Sequence, residues 1–322
     1  MAGSPRIGIL LSRVREEEKL LLAAFAKRGI EPARLLDRTL TFELTALERP
    51  QPLPLDLVLD RCMAHGRGAV ALRVFAALGI PTINSIQSVT ITDDKVATTV
   101  ALAEAGVPTL RTAIAFDIDS ALATLEWIGY PAVLKPVTGS WGRLLAKVNS
   151  PASARSLMEQ KRMLGSFHHA VFYIQEYVEK PGRDLRIFVI GDDVVSASYR
   201  AAEHWVTNVA RGAVSSPCPI TPEIAGLSLR AARAVGAEIA GVDLIETADG
   251  LKVIEVNGGA EFKGLIRTTD INIADAIAGY AIARAGMGNG QAKLAAPAAN
   301  RSREDFDGTQ RRDTRWIGLC RR

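Results

Sequence analysis

The stretch from Val242 to Asn257, VDLIETADGLKVIEVN, constrains this chain more than any other. Two runs rich in Val, Ile and Leu flank an Asp-Gly turn signal, which reads as a β-hairpin. A three-residue loop at Ala248-Asp249-Gly250 sets Asp243 opposite Glu255, and the two-residue period of a strand puts Asn257 on the same face as Glu255. The outcome is a set of oxygen donors on one sheet face amid apolar neighbours. Carboxylates in that setting are costly unless a cation or a basic group compensates them. Hard oxygen ligands suit Mg²⁺ that is also held by nucleotide phosphates. A surface hairpin with solvated acids would use the same residues, so the remainder of the chain has to decide.

A chain of 322 residues can hold two or three packed units, and 48% hydrophobic with 23% charged residues is ordinary for a globular protein. Apolar runs are too short for a membrane span, and the start, MAGSPRIGILL, runs straight into a strand without the pattern of a signal peptide. Cys62, Cys218 and Cys320 are odd in number and far apart, which fits a reducing cytoplasm and argues against a structural zinc. Net charge is +4, while aromatic residues make up 6% with no basic–aromatic stripe. Nucleic-acid binding is therefore unsupported, though an acidic partner is compatible.

The pattern along residues 6–84 is a β-α-β alternation: a buried strand at 6–11, a charged Leu-rich helix at 15–28 stopped by Gly29, a strand at 55–60, a helix at 69–78 closed by Gly79, and a short strand from Pro81. It implies a small open α/β unit over about residues 1–90. A helix near 93–105 follows, capped by Asp93 or Asp94. Segments 110–116, 118–128, 132–136, 151–164 and 171–177 suggest a second small α/β lobe. Then come a hairpin around Gly191-Asp192, an amphipathic helix at 223–236, the opening hairpin, and a last helix near 272–285. Beyond Gly286 the composition turns to Gly, Ala and Asn and then to Arg and Asp, which predicts disorder.

Several short motifs carry candidate chemistry. Lys135 ends a strand and precedes VTGSWGR, where Gly139, Ser140, Gly142 and Arg143 form a loop whose backbone N–H groups can cover phosphates. It is neither a Walker A sequence nor a dinucleotide fingerprint. Lys95 opens a helix and supplies a second positive charge. In Gln175-Glu176-Tyr177-Val178-Glu179 a strand runs into a connection, where backbone groups at Tyr177 and Val178 can pair with a purine edge and Glu179 can bond ribose. Asp184 and Arg186 share a strand face, and Arg186 can neutralise a phosphate. Arg200, Asn208 and Arg211 lie in a polar stretch suited to carboxylate or phosphoryl groups. Each motif alone is also readable as a turn, a solvated helix charge, a core strand ending in acids or a surface ion pair. His204 reads as a surface or packing residue.

The joint order of Lys95, Lys135, the glycine loop, 175–179, Asp184-x-Arg186, Arg200, Asn208-x-x-Arg211, Asp243 and Glu255-x-Asn257 resembles the ATP-grasp carboxylate–amine ligases over nearly all of residues 6–285. LKPVTGSWGRLLAK at 134–147, FYIQEYVEKPGRD at 172–184 and Glu261-Phe262-Lys263 look like the LysX-type ligases of amino-acid biosynthesis, within the wider RimK-like group.

The resemblance implies an α/β ATP-grasp fold with an open α/β pre-ATP-grasp domain at 1–92, a small lobe at 93–180, a C-terminal lobe bearing the metal site at 181–286 and an added tail at 287–322. It implies ATP and Mg²⁺, with two ions, as cofactors. Asp243, Glu255 and Asn257 would be metal ligands. Arg200, Asn208 and Arg211 would steady the acyl phosphate. Asn257, Glu261, Phe262 and Lys263 would border the amino acid. The implied reaction joins the α-amine of α-aminoadipate, or of glutamate in sister enzymes, to a terminal Glu side chain of a small acidic amino-group carrier protein. A glutamate ligase acting on a protein or peptide tail is the runner-up, and a non-catalytic ATP-binding module a third reading. Gly258-Gly259-Ala260 departs from the bulkier or hydroxylated residues frequent at this place in aminoadipate enzymes. A cytoplasmic dimer or tetramer is the expected form.

Overall fold

Strand β1 (Ile7–Leu11) is buried at every residue, as an interior parallel strand covered on both faces must be. It lies between β2 (Ala33–Leu36) and β3 (Leu57–Arg61), and β3 pairs with the short β4 (Thr82–Ile83), all parallel. Helices α1 (Glu16–Lys27), α2 (His65–Ala77) and α3 (Ile86–Thr92) belong to this unit. The computed structural model describes residues 4–45, 54–139, 144–163, 171–207 and 212–287. The expected disordered tail at 287–322 lies outside them apart from Met287.

After α4 (Lys95–Glu104), a four-stranded antiparallel sheet of order β5-β8-β6-β7 is built from β5 (Thr112–Ala115), β6 (Ala132–Lys135), β7 (Ala146–Val148) and β8 (Phe172–Glu176). Helices α5 (Ile118–Ile128) and α6 (Pro151–Met163) cover it with a core that includes Ala121, Leu125, Met158 and Ile174. The third sheet has order β11-β10-β9-β12-β13 and is antiparallel throughout: β9 (Arg183–Ile190), β10 (Asp193–Ala201), β11 (Val214–Pro217), β12 (Ile239–Thr247) and β13 (Gly250–Asn257). Helix α7 (Pro222–Ala234) packs on one face, where Leu227 and Ala231 meet Val189, Val242, Val253 and Val256. Leu102 of α4 enters this same core.

The other face of the third sheet meets the N-terminal unit. Phe188 and Ile190 share one apolar core with Ile7, Phe25, Phe262 and the inner residues of α8 (Ile273–Gly286). Asn84 pins the join: its amide donates to the carbonyls of Ile239 and Gly258, each at 2.7 Å, and its oxygen accepts from Glu238 N at 2.8 Å and Ile239 N at 2.9 Å. A buried amide satisfied on all four positions fixes orientation as well as contact.

Four elements were not foreseen: β2, α3, β7 and β11. Helix α3, IQSVTIT, is mostly β-branched and intrinsically poor at helix formation. It is started by Ser85, whose side chain accepts from Ser88 N. Helix α2 begins at His65 rather than 69 because its N-cap, Ala64, has no capping side chain to announce it. The main hairpin also corrects the sequence reading. Thr247 pairs directly with Gly250, so the loop is the two residues Ala248-Asp249 rather than three.

Candidate active site

The register that results still sets Asp243 opposite Glu255, for a different reason. Leu244 pairs with Val253 while Asp243 pairs with Glu255, so Ile254 is the extra residue of a β-bulge. Without the bulge the apolar Ile254 would face Asp243, and Glu255 would turn to the opposite face. The burial pattern agrees, since Val253 and Val256 both point into the α7 core while Glu255 and Asn257 line the cleft.

Cross-strand neighbours complete the cluster. Arg186 on β9 is opposite Asp243 on β12, and Asp184 on β9 is opposite Arg200 on β10. Arg200 Nε donates to Asp184 Oδ1 at 2.7 Å, and its Nη2 lies 3.2 Å from Asp243 Oδ2. Arg186 Nη2 reaches Asp243 Oδ2 at 3.3 Å. Its Nε lies 2.8 Å from Oδ1, in ion-pair range but off the N–H direction, so that buried oxygen is left without a hydrogen bond. Thr207 Oγ1 donates to Asp184, and Lys180 Nζ lies 3.8 Å from it. Asp184 is thereby a positioning carboxylate for Arg200, with its oxygens already committed.

On the opposite wall, Lys95 Nζ donates to Gly139 O at 2.7 Å and lies 3.3 Å from Glu255 Oε1. Lys135 ends β6 half-buried, and burial pushes its ammonium down to about 8. Burial raises Glu255, but Lys95, Lys135 and Arg186 outweigh it and hold the carboxyl below its ordinary value. Burial raises Asp243 and lowers Arg186, with each opposing the other's shift.

Two spaces meet at this cluster. A narrow pocket of about 130 Å³ is lined by Lys95, Lys135, Gln175, Glu176, Tyr177, Val178 and Ile254 among others. A wider cleft of about 500 Å³ opens between the third sheet and the N-terminal unit. Gly139, Arg200, Asp243 and Glu255 line both. A nucleotide whose base and sugar enter the first space would bring its phosphates to the junction, and an acceptor would reach them through the second.

The foreseen residues fare unevenly. Gln175 is buried, donating to Thr112 Oγ1 at 3.0 Å. The carboxylate of Glu176 accepts from Arg111 N at 2.9 Å. Tyr177 lies under the ammonium of Lys147, 3.6 Å from its ring centroid. Glu179 is exposed and outside the pocket lining, so the ribose role given to it does not match its position. Glu261 and Lys263 line the cleft, but Phe262 is fully buried, edge-on to Phe188 with centroids 6.2 Å apart. Phe262 is therefore a core anchor for the loop rather than a substrate contact, because its ring is needed to seal the domain join. Ser140, Gly142, Arg143, Asn208 and Arg211 lie outside the described residues. His204 accepts from Val206 N and stacks beside Trp205, in keeping with a packing residue.

A second charged network went unseen in the sequence. Glu17 Oε1 accepts from the backbone N–H of Phe262 at 2.8 Å and of Lys263 at 2.6 Å, and its other oxygen pairs with Arg61. Arg61 also donates to Ala260 O at 3.0 Å. Arg15 bridges Glu18, at 2.7 Å, and Glu261. The run Glu16-Glu17-Glu18 looks like solvated acids at a helix start, which is where the helix dipole favours them. Glu17 and Glu18 are instead 2% and 0% exposed. They hold the 260–263 loop against the N-terminal unit.

The residues at the junction fit a divalent cation. Asp243 keeps a buried oxygen without a donor, Glu255 is held ionised beside it, and the Asn257 amide is two residues along the same strand. Among the described residues no group of three or more His, Cys, Asp or Glu gathers as a metal cage. Two carboxylates with further ligands from phosphates are what Mg²⁺ requires at nucleotide sites.

Comparison with known proteins agrees with this geometry. Residues 7–91 match the LysX preATP-grasp domain and residues 92–281 the RimK-like ATP-grasp domain. The alpha-aminoadipate–LysW ligase LysX of Saccharolobus solfataricus is 36% identical over 262 residues, covering 81% of this chain and 94% of the relative. The glutamate–LysW ligase ArgX of Sulfolobus acidocaldarius is 28% identical over 285 residues, covering 85% and 97%. A RimK domain ATP-grasp protein from Sphaerobacter thermophilus superposes with a TM-score of 0.73 at 26% identity, covering 86% of this chain and 99% of that one. With both domains matched and the charged junction in place, this chain belongs to the RimK-like ATP-grasp family of ATP-dependent carboxylate–amine ligases and carries a LysX-type pre-ATP-grasp domain.

Proposed function

We propose that this protein joins the α-amino group of α-aminoadipate to the side-chain carboxylate of the terminal Glu of a small acidic, LysW-type carrier, using ATP to activate that carboxylate as an acyl phosphate. The observation that carries the reading is the junction itself: Asp243, Glu255, Arg200 and Gly139 line both a narrow pocket beside the small lobe and a broader cleft beside the N-terminal unit. The higher identity to a relative named for α-aminoadipate, 36% against 28% for one named for glutamate, supports the amino acid chosen.

A carboxylate resists attack by an amine, so the reaction needs a leaving group on the acyl carbon. Lys95 and Lys135 would hold nucleotide phosphates from the small-lobe side, and Arg186 from the large sheet. Mg²⁺, held by Asp243, Glu255 and Asn257, would offset charge on the transferring phosphoryl group. Arg200, fixed by Asp184, would face the carboxylate as it becomes an acyl phosphate, and Asn208 and Arg211 are proposed to assist. Most of the rate would come from positioning and electrostatics, since no protein nucleophile is required. The Gly139–Gly142 loop, of which only Gly139 is among the described residues, is proposed to exclude water from the acyl phosphate.

The Gly258-Gly259-Ala260 segment lines the cleft and differs from the bulkier pattern of aminoadipate enzymes, which keeps glutamate as the second reading. Incubating purified enzyme with a LysW-type carrier, Mg·ATP and each amino acid, then weighing the carrier by mass spectrometry, tests both. A carrier gaining aminoadipate with stoichiometric ADP is expected. ADP formation without any gain in carrier mass would overturn the proposal.

A further inference from the structure

The amine that attacks the acyl phosphate must arrive with its lone pair free, yet an α-amino group is mostly protonated near neutral pH. A carboxylate in the acceptor cleft with a free oxygen would be placed to receive that proton. Five carboxylates line the cleft: Asp60, Asp93, Asp243, Glu255 and Glu261. Four already have a basic partner, the one for Asp93 being charged only when His65 is protonated. Asp93 lies 3.0 Å from His65, Asp243 is held by Arg186 and Arg200, Glu255 by Lys95, and Glu261 by Arg15 and Lys263. Among the described residues Asp60 has no ion-pair partner within 4.0 Å. Arg61 beside it is turned away to Glu17 and to Ala260 O.

Asp60 is also held ready. It follows the buried Leu59 at the end of β3, on the cleft wall formed by the N-terminal unit. The backbone N–H of Cys62 donates to its Oδ1 at 2.9 Å, while Oδ2 receives no hydrogen bond among the described residues. Burial pushes its carboxyl up to about 6, with Arg61 and His65 opposing and Asp93 adding to the rise. It is thus ionised near neutrality but more basic than an ordinary aspartate, as a general base should be.

We propose that Asp60 binds the α-ammonium of the incoming amino acid through its unpaired oxygen and acts as the general base for amide formation. This rests on the ligase reading above. The ammonium gives one proton to the Asp60 carboxylate, and the freed lone pair forms the C–N bond at the acyl carbon. The acyl C–O bond to phosphate breaks with its electron pair on the phosphate, which takes the second N–H proton. Asp60 then returns its proton to water.

Hydroxylamine is the probe that separates this step from activation, because it is uncharged near neutral pH and needs no base. Wild type and Asp60→Asn are each given LysW-type carrier, Mg·ATP and either hydroxylamine or the amino acid. Asn keeps an oxygen for the Cys62 N–H and removes only the charge. The expected result is carrier hydroxamate within about twofold of wild type, while amino-acid ligation falls on the order of 100-fold with a raised KM for the amino acid. Asp60→Glu should restore part of it. Ligation by Asp60→Asn within about threefold of wild type overturns the proposal, as does an equal loss of hydroxamate and ligation, which would mark a structural role. No hydroxamate from the wild type would instead overturn the acyl-phosphate reading, and this inference with it.

Discussion

Replacing Lys135 by Met should stabilise the empty enzyme while removing its grip on ATP. Lys135 sits half-buried at the end of β6, and burial is the largest influence on it, lowering its pKa from 10.5 to about 8 despite the attraction of Glu255 and Asp243. That gap corresponds to roughly 3 kcal/mol at about 1.36 kcal/mol per pKa unit, less what water recovers at the exposed part, so about 2–3 kcal/mol is expected. Below about pH 8 both the folded and the unfolded chain carry the charge, and the full cost is present. Between about 8 and 10.5 the unfolded state binds more protons, so wild-type stability rises with pH through that window. Met has the length to fill the site and nothing to titrate. Urea unfolding of both proteins across this range should give the Met variant its largest advantage near neutrality, shrinking toward the alkaline end. Calorimetry with Mg·ATP should show affinity down on the order of 100-fold, because a charge-assisted contact to phosphate is gone. A variant less stable than wild type near neutrality, or one binding ATP normally, would refute the reasoning.

Asp243→Ala should abolish ligation and also cost roughly 3–5 kcal/mol in denaturation, because Arg186 and Arg200 are left facing each other without their shared anion. Glu255→Ala should abolish ligation, followed by ADP release, at a cost below about 2 kcal/mol, since Lys95 keeps its bond to Gly139 O. Gly241→Ala would set a Cβ 2.3 Å from Arg186 Nη1 and 2.8 Å from Ala260 Cβ, so it should displace the guanidinium and reduce turnover at least about tenfold, with a stability loss of about 1–3 kcal/mol by thermal melt. Raising salt should increase KM for the acidic carrier more than for ATP, and equal sensitivity would count against electrostatic steering.

The elements that were legible are those whose signals are local. Gly29, Gly79 and Gly106 stop helices in the left-handed region that lets a chain turn away without strain. Asp94 caps α4 by accepting from Val96 N and Ala97 N, and Asp117 caps α5 at Ser120 N. Alternation in β12 and β13 exposed the acid pair because polar residues in an apolar run stand out. The missed pieces had no such mark. Strands β2, β7 and β11 each have four residues or fewer and exist because a neighbouring strand offers its edge. The loop length of the main hairpin was misjudged, yet the facing pair came out right, since one extra residue in the loop and one in a bulge shift the register equally.

The residue order alone determined the family and placed Lys95 at a helix start, Lys135 at a strand end and the acids on the two strands of one hairpin, because these depend on local spacing. Only tertiary structure decided which charges are spent on each other. Asp184 belongs to Arg200, Glu17 to Arg61 and the 262–263 backbone, and Asp60 has no ion pair among the described residues, and each of these facts depends on how residues far apart in the chain are brought together. A buried charge takes its meaning from the partner across the gap, and that partner is chosen by how the three sheets pack.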